Sequence, residues 1–288
     1  MIQALAGQLL VGLINGSFYA LLSLGLAIIF GLLNVVNFAH GAQYMLGAFL
    51  AWIALRYLGI GYWWALLLVP AAVGLLGMAF ERLMLRRLYR LDPLYGLLLT
   101  FGVALVVEGV FQNLYGISGN SYPVPAWLRG GYDLGFMFLP RYRGWAVLVA
   151  LAVCLASWAV IERTRLGAYL RAGTENPTLL QAFGVNVPLM FTLTYGFGAA
   201  LAAFAGVVAA PIYQVTPLMG SGVIMVVFAV VVIGGMGSIL GSIVTGIGLG
   251  LVEGLTKFLF APASDVVIFV VMALVLLLRP AGLFGRTQ

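Results

Sequence analysis

Two acidic residues, Glu108 and Glu253, lie deep in apolar stretches of the sequence. A carboxylate inside a membrane-spanning segment is costly, so each is a candidate for proton or ion coupling. Each also has a plainer explanation, because a possible partner follows it on the same helical face. Glu253 precedes Lys257 by four residues, the favourable order for a helical ion pair. Glu108 precedes Gln112 by the same spacing, so both interpretations stay open.

A cluster of neutral polar residues lies between the first two long apolar runs. Polar side chains at a helix break can line a pathway, because irregular backbone at membrane depth is tolerated only inside protein or beside water. The alternative is that Asn37 caps the next helix and His40 bonds a nearby carbonyl. With one residue from the preceding run, the predicted substrate pathway consists of Asn15, Asn34, Asn37, His40 and Gln43.

The sequence contains no pattern typical of catalysis. Cys154 is the single cysteine and His40 the single histidine, which excludes disulfides within the chain and clusters of either metal ligand. The single lysine, Lys257, is followed by Phe258, so there is no G-x-x-x-x-G-K-[ST] phosphate loop. We therefore expect no catalytic residue, no metal site and no cofactor in this chain.

The composition points to a membrane protein. Of 288 residues, 64% are hydrophobic and 8% are charged, against roughly a quarter charged in a soluble domain. This excludes a soluble globular protein. The apolar residues form long continuous runs rather than the alternating segments of a barrel, so we expect helices of about 20 residues each. The predicted fold class is all-α, a polytopic transmembrane helical bundle, with residues 1–288 as one transmembrane domain.

The apolar runs lie near residues 4–33, 38–56, 62–80, 94–115, 145–161, 188–210, 222–257 and 266–279. The seventh run is too long for one span and is interrupted by glycines, so it forms either two short helices or one span with a broken end. We expect about eight spans, or nine if it crosses twice. Glycines four residues apart, such as Gly12 with Gly16 and Gly246 with Gly250, predict close helix packing. The predicted packing or hinge residues are Gly234, Gly235, Gly237 and Ser238.

The net charge of +6 comes from short basic clusters between apolar runs, which indicates topology rather than a nucleic-acid surface. If residues 222–257 cross twice, one side receives Arg82, Arg86, Arg87, Arg90, Arg163, Arg165, Arg171, Arg279 and Arg286. The other side receives Arg56, Arg129, Arg141, Arg143 and Lys257. The more basic side is predicted to be cytoplasmic, which places the N-terminus outside and the C-terminus inside. The first charged residue is Arg56, so we expect the first run to be a retained span rather than a signal peptide.

The inner segment at about 162–187 contains a second, much shorter helix signal. Asn176 is a capping residue, a proline follows at the first helical position, and Gly184 comes just past the end. These features predict a short cytoplasmic helix with Leu179, Leu180 and Phe183 on one side. An apolar helix edge suits a groove on a partner protein. The alternative is that the helix lies on the bilayer surface or packs back on its own bundle.

Several short stretches of the sequence, taken together, resemble one known family. They are Asn15 to Leu21, Val36 to Gly41, Tyr44 to Ala48, Glu81-Arg82, Arg171-Ala172, Ala182 to Asn186, Gly198 to Ala200, Ala205-Gly206, Gly234 to Ser238 and Arg279 to Gly285. In their order and spacing they resemble the inner-membrane permease subunits of branched-chain amino-acid ABC importers, specifically the H-type member of the permease pair. The resemblance covers almost the whole chain.

The resemblance implies an assembly in a bacterial or archaeal inner membrane. The expected partners are a second homologous permease, two cytoplasmic ATP-binding subunits that carry ATP and Mg²⁺, and an extracytoplasmic substrate-binding protein. The expected substrate is a branched-chain or other small neutral amino acid, the chain also contacts lipid, and no nucleic acid is involved. The short inner helix would dock on an ATPase through Arg171, Ala172, Glu175, Asn176, Leu179, Leu180, Ala182, Phe183 and Gly184.

The chain departs from the family pattern at two places. Ala42 follows Gly41 where relatives often carry an acidic residue, and no basic residue lies near Val226, where one is sometimes seen. Three alternatives therefore stay open. The chain serves urea or short amides within the same transporter class, or it is an ion-coupled secondary transporter that uses Glu108 or Glu253, or it is an assembly subunit that does not transport.

Overall fold

The computed structural model describes residues 1–33, 35–89 and 91–285, without the side chains of Leu32 and Thr174. Asn34, Arg90 and Arg286 therefore lie outside the described residues. The described chain is almost entirely helical, in agreement with the predicted fold class. Its helices are α1 (Ile2–Leu33), α2 (Ala39–Leu58), α3 (Tyr62–Leu83), α4 (Pro93–Tyr115), α5 (Arg141–Arg163), α6 (Arg165–Glu175), α7 (Pro177–Ala182), α8 (Val187–Ala209), α9 (Met219–Gly234), α10 (Ile239–Phe260) and α11 (Ser264–Leu278).

The helix boundaries follow the predicted apolar runs closely. The run at 222–257 forms two helices, α9 and α10, separated at Gly235-Met236-Gly237-Ser238. The long polar loop between α4 and α5 contains a short antiparallel hairpin, β1 (Gly131–Asp133) with β2 (Phe138–Pro140). The sequence did not indicate this hairpin, because three-residue strands leave no clear alternation.

Six segments of the described chain are long and apolar enough to cross a membrane, judged by length and composition alone. They are Ile2–Gly31, Tyr62–Leu88, Pro93–Tyr115, Arg141–Arg163, Val187–Ala209 and Ile239–Leu278. The expected number of eight or nine spans is not confirmed by length and composition. The last segment has 40 residues and includes both α10 and α11, whereas α9 is a shorter apolar helix. The chain is thus a polytopic, multi-pass helical membrane protein.

The chain forms two compact units, each assembled from distant parts of the sequence. The first contains Met1–Leu24, Pro123–Cys154 and the described part of Met225–Gln288. Here α1 packs on α10 through backbone contacts, with Gly12 and Gly16 facing Gly250. The close packing predicted from the glycine spacing is confirmed. An apolar core joins α9, α10 and α11 and consists of Ala229, Val230, Ile233, Leu249 and Ile268.

The second unit contains Gly25–Tyr122 and Leu155–Ile224. Its centre is the extensive contact between α3 and α8, and α2 packs against both helices. Small residues again permit the close approach: a Cβ on Gly47 of α2 would overlap the backbone of Ala203 on α8. One core cluster of this unit consists of Ile29, Leu33, Val35, Leu85 and Tyr195.

We expect Gly250→Ala to destabilise the protein by about 1–3 kcal/mol, because its methyl group would overlap the backbone of Gly12 and Gly16. Gly248 lies two residues away on the same helix, and a Cβ there would meet no atom within 4 Å. Gly248→Ala should therefore leave stability equal or slightly higher, since alanine favours helix over glycine by about 1 kcal/mol. Thermal unfolding of both variants in detergent checks this expectation. Equal unfolding temperatures for the two would contradict it.

Candidate functional site

The residues between α1 and α2 interrupt the helices, and α4 supplies hydrogen bonds to them. The Phe38 backbone N–H donates to Thr100 Oγ1 at 3.2 Å. The Thr100 hydroxyl lies 3.2 Å from the Val36 carbonyl oxygen and 3.0 Å from that of Leu97. Thr100 is itself fully buried. A single buried hydroxyl therefore supplies hydrogen bonds to this non-helical segment.

Three of the predicted pathway residues lie close to this segment and are buried in the second unit: Asn37, His40 and Gln43. Asn37 does not cap α2, since Phe38 occupies the cap position and no side chain bonds the helix end there. The capping interpretation of Asn37 is therefore wrong. His40 lies against α1, where a Cβ on Gly25 would come within 2.9 Å of His40 Cε1.

Tyr195 of α8 completes this polar cluster and was missed by the sequence analysis. Its side chain is fully buried, and its hydroxyl accepts a hydrogen bond from Gln43 Nε2 at 3.2 Å. Tyr195 lies within a long apolar run, so nothing in the sequence singled it out. In the described chain, Gln43 Oε1 has no hydrogen-bond partner, and the buried Asn37 amide, which lies beside the Tyr195 hydroxyl, makes no hydrogen bond of good geometry. Such atoms are rare in folded proteins and call for a water or ligand partner.

Asn15 lies in the first unit, next to Glu253, rather than with the polar cluster of the second unit. Its Nδ2 is 3.4 Å from Glu253 Oε1, and the Tyr19 hydroxyl donates to Glu253 Oε2 at 2.8 Å. The predicted ion pair between Glu253 and Lys257 is confirmed. Glu253 thus has three partners, which lets the carboxylate stay buried between α1 and α10.

Glu108 is also buried, in the second unit. Its carboxyl group lies within hydrogen-bonding reach of Ser221, at the start of α9. Ser221 is more than 100 residues from Glu108 in the sequence. The spacing to Gln112 therefore did not indicate the partner that the structure shows.

The predicted short helix is confirmed as α7. The Asn176 side chain accepts a hydrogen bond from the Leu179 N–H at 2.9 Å, and Gly184 has a φ of +83°, which favours glycine after a helix end. Leu180 is buried, so it does not belong to an exposed apolar edge with its neighbours. Leu179 and Phe183, one turn apart, are 55% and 78% exposed. The free apolar edge of α7 therefore consists of these two side chains.

The remaining predicted docking residues surround α7. Ala172, Glu175, Ala182 and Gly184 are exposed. Arg171 forms an ion pair with Glu162 at 3.1 Å, and both side chains are about half exposed. An exposed pair of this kind contributes little to stability. Because both side chains are about half exposed, the charges of Arg171 and Glu162 are accessible on the same segment as Leu179 and Phe183.

The predicted hinge at Gly234 to Ser238 forms a turn that holds the C-terminal segment. Gly235 and Gly237 have φ values of +98° and +86°. The Leu283 and Phe284 N–H groups donate to the carbonyl oxygens of Ile233 at 2.8 Å and Gly234 at 3.2 Å. Ser238 caps α10 by accepting from the Gly241 N–H at 3.1 Å. Backbone hydrogen bonds therefore join the Gly234–Ser238 motif to the Arg279–Gly285 motif, which lies far from it in the sequence.

A second network that the sequence analysis missed lies where α3 ends and α8 begins. Glu81 is fully buried and accepts from the Tyr89 hydroxyl at 3.0 Å and from Thr192 Oγ1 at 2.6 Å. Arg86 forms an ion pair with the same carboxylate at 3.2 Å and also donates to the Pro188 carbonyl oxygen at 2.8 Å. The sequence showed Glu81-Arg82 only as an adjacent pair. The partners of Glu81 in the structure lie in the turn that follows α3 and on the distant helix α8.

Metal ligands are not grouped in the described residues. No three His, Cys, Asp or Glu side chains of that part of the chain could hold a metal ion together. The buried polar groups described above are instead amides, hydroxyls, an imidazole and the carboxylates of Glu81, Glu108 and Glu253, each of which has a partner. Their chemistry suits recognition and packing.

Comparison with known proteins identifies the family. A family model described as "Branched-chain amino acid transport system / permease component" matches residues 8–276. The permease protein LivH of Escherichia coli K12, from a high-affinity branched-chain amino acid transport system, is 31% identical over 98% of this chain and 96% of its own length. BraD of Pseudomonas aeruginosa, a permease of the same kind of system, is 32% identical over the same shares. LivM of Escherichia coli K12 is 28% identical over 94% of this chain and 68% of its own.

No solved structure matches the chain. The family model covers nearly the whole sequence, including both compact units, and LivH and BraD exceed 30% identity over 96% of their length. The chain therefore belongs to the permease components of branched-chain amino acid transport systems, which are transport subunits rather than enzymes.

Proposed function

We propose that this chain is one of two membrane-spanning subunits of an ATP-driven importer for branched-chain or other small neutral amino acids. The observation that carries the proposal is the near-full-length similarity to LivH and BraD, which are named as permeases of such amino acids. The second subunit is a homologous permease, as supported by the similarity of this chain to LivM. Two cytoplasmic ATPases hold ATP and Mg²⁺, and an extracytoplasmic binding protein delivers the substrate.

Nine spans with the N-terminus outside agree with the contacts within each unit. Hydrogen bonds between residues 233–234 and 283–284 support a shared side of the membrane for the ends of α9 and α11. A shared side fits two separate crossings by α10 and α11. The bridge between Asn120 and Val215 likewise supports a shared side for the loops that follow α4 and α8. The more basic side, which carries α7, is then cytoplasmic.

The substrate route passes the buried polar cluster formed by Asn37, His40, Gln43 and Tyr195. These side chains are neutral amides, an imidazole and a hydroxyl, which can exchange hydrogen bonds with a zwitterion without holding it by a fixed charge. The amides of Asn37 and Gln43 supply both donors and acceptors, since Gln43 Oε1 is unpartnered and Asn37 makes no hydrogen bond of good geometry. Asn15 and Asn34 remain proposed members of the route.

The segment at 162–187 transmits motion from the ATPase. Its helix α7 presents Leu179 and Phe183 as apolar contacts for a groove on that partner, with Arg171, Ala172, Glu175, Asn176, Ala182 and Gly184 around them. Leu180 secures α7 to its own chain instead. ATP binding draws the ATPases together, and the rigid helix moves with them.

Purification of the tagged chain from its native membrane tests the assembly directly. We expect recovery of a second permease and two ATP-binding subunits. In proteoliposomes, the complex should import leucine, isoleucine or valine only with ATP inside and the loaded binding protein outside. Urea and short amides serve as competing substrates in the same assay. Recovery of the chain alone, with uptake driven by an ion gradient, would contradict the proposal.

Asn37→Leu tests the polar route, because leucine matches the shape of asparagine without its amide, whose contact with Tyr195 lacks good hydrogen-bond geometry. We expect an equal or higher unfolding temperature, since a buried unsatisfied group costs about 1–3 kcal/mol, together with lower transport. Thr100→Val is the comparison, because Thr100 has hydrogen-bond partners, and its loss should lower the unfolding temperature. Unchanged transport by a normally assembled Asn37→Leu variant would remove Asn37 from the route.

Phe183→Ala tests the docking edge of α7. Because Phe183 is 78% exposed, its truncation should leave the unfolding temperature unchanged. It should weaken association with the ATPases by about tenfold, as expected for an aromatic contact at the centre of an interface. Leu58→Ala is the control, since Leu58 is 69% exposed and lies on the opposite proposed side of the membrane. Equal ATPase recovery with both variants would exclude Phe183 as a docking residue.

A further inference from the structure

We propose that Glu81 is a positioning residue that joins the ATPase-docking segment to the helices around the polar cluster, an inference that rests on the proposed function. Residues 162–187 connect α5 to α8, and α8 begins at Val187. Motion of α7 can reach the substrate route through the contacts of this connection. The Glu81 network is located at that point.

The Glu81 carboxylate is fully buried at the end of α3 and receives hydrogen bonds on both oxygens. Oε1 accepts from the Tyr89 hydroxyl at 3.0 Å and from Arg86 Nε at 3.3 Å. Oε2 accepts from Thr192 Oγ1 at 2.6 Å and from Arg86 Nη2 at 3.2 Å. Four hydrogen bonds thus hold one carboxylate between α3, the turn that follows it, and α8.

Arg86 extends the network to the first turn of α8. Its Nη2 atom donates to the Pro188 carbonyl oxygen at 2.8 Å, one residue after the docking segment ends, and also contacts Thr192. The same guanidinium group therefore contacts α3 through Glu81 and the start of α8 through Pro188. A displacement of the docking segment at Pro188 would therefore move Arg86, and with it Glu81 at the end of α3.

Separating the groups of the Glu81 network costs considerable free energy. The Glu81 carboxylate is fully buried, whereas the Arg86 side chain is one-third exposed. A buried carboxylate that loses its charged partner is left uncompensated, which is strongly unfavourable. Burial and the neighbouring Glu81 carboxylate also raise the pKa of the Tyr89 hydroxyl, so Tyr89 stays protonated and can donate. The ends of α3 and α8 are therefore expected to move as one body.

This body reaches the polar cluster directly. Tyr195 lies three residues after Thr192 on α8, so the two side chains share a helical face. The Tyr195 ring packs on Phe80 of α3 at a centroid distance of 5.8 Å, and its hydroxyl accepts from Gln43. A continuous set of contacts thus runs from Pro188 through Arg86, Glu81 and Thr192 to the cluster.

The test compares Thr192→Val with Thr192→Ser in the complete complex, reconstituted in proteoliposomes. The readout is the number of amino acids imported per ATP hydrolysed. Valine preserves the shape of threonine but removes the hydroxyl that bonds Glu81, whereas serine retains it. We expect Thr192→Val to lower this ratio by about three- to thirtyfold while ATP hydrolysis changes less than twofold. Thr192→Ser should stay within about twofold of the original ratio.

Two further variants complete the experiment. Glu81→Gln should also lower the ratio, because its amide NH₂ faces donors rather than acceptors. Arg82→Gln is the control at the same end of α3, since Arg82 is exposed and should leave the ratio unchanged.

An unchanged ratio in Thr192→Val and Glu81→Gln would overturn the inference. So would a parallel fall of transport and ATP hydrolysis, or failure of both variants to assemble, because each result would assign the network a folding role only. If the original complex itself fails to import with ATP, the proposed function fails instead. That outcome is visible before any variant is made.

Discussion

Buried polar groups of a membrane protein need partners from the protein itself, because the bilayer core offers no water. This constraint accounts for the contacts that join distant parts of the chain. Glu253 holds α1 to α10 through Asn15, Tyr19 and Lys257, and Thr100 of α4 holds the break before α2. Without these bonds the same groups would each cost several kcal/mol in lipid.

Close backbone packing brings these partners within reach. Glycine and alanine let α1 approach α10 in the first unit and let α2 and α3 approach α8 in the second. Association of helices in lipid lacks the hydrophobic driving force that acts in water, so van der Waals contact at such small-residue surfaces contributes most of the attraction. Hydrogen bonds across the same contacts then fix which helices meet.

The polar cluster at Asn37, Gln43 and Tyr195 differs from the other buried groups, because part of its hydrogen-bonding capacity is unused in the described chain. The Glu81 network is the opposite case, with every carboxylate oxygen occupied. In the proposed function, the polar cluster exchanges hydrogen bonds with the substrate, and the Glu81 network transmits movement as a rigid contact. Both depend on α8, which carries Tyr195 and Thr192.

The sequence by itself determined the helical class, the helix boundaries, the capped helix α7 and the pair of Glu253 with Lys257. These features depend on composition and on residues within about a turn of one another, where local geometry decides the outcome. Only the tertiary structure decided that Leu180 is buried, that Ser221 lies by Glu108, and that Glu81 and Tyr195 belong to buried hydrogen-bond networks. These depend on contacts between residues far apart in the chain, and no local pattern encodes which backbones approach each other. Small residues make many approaches possible, and the partners of the buried polar groups select among them.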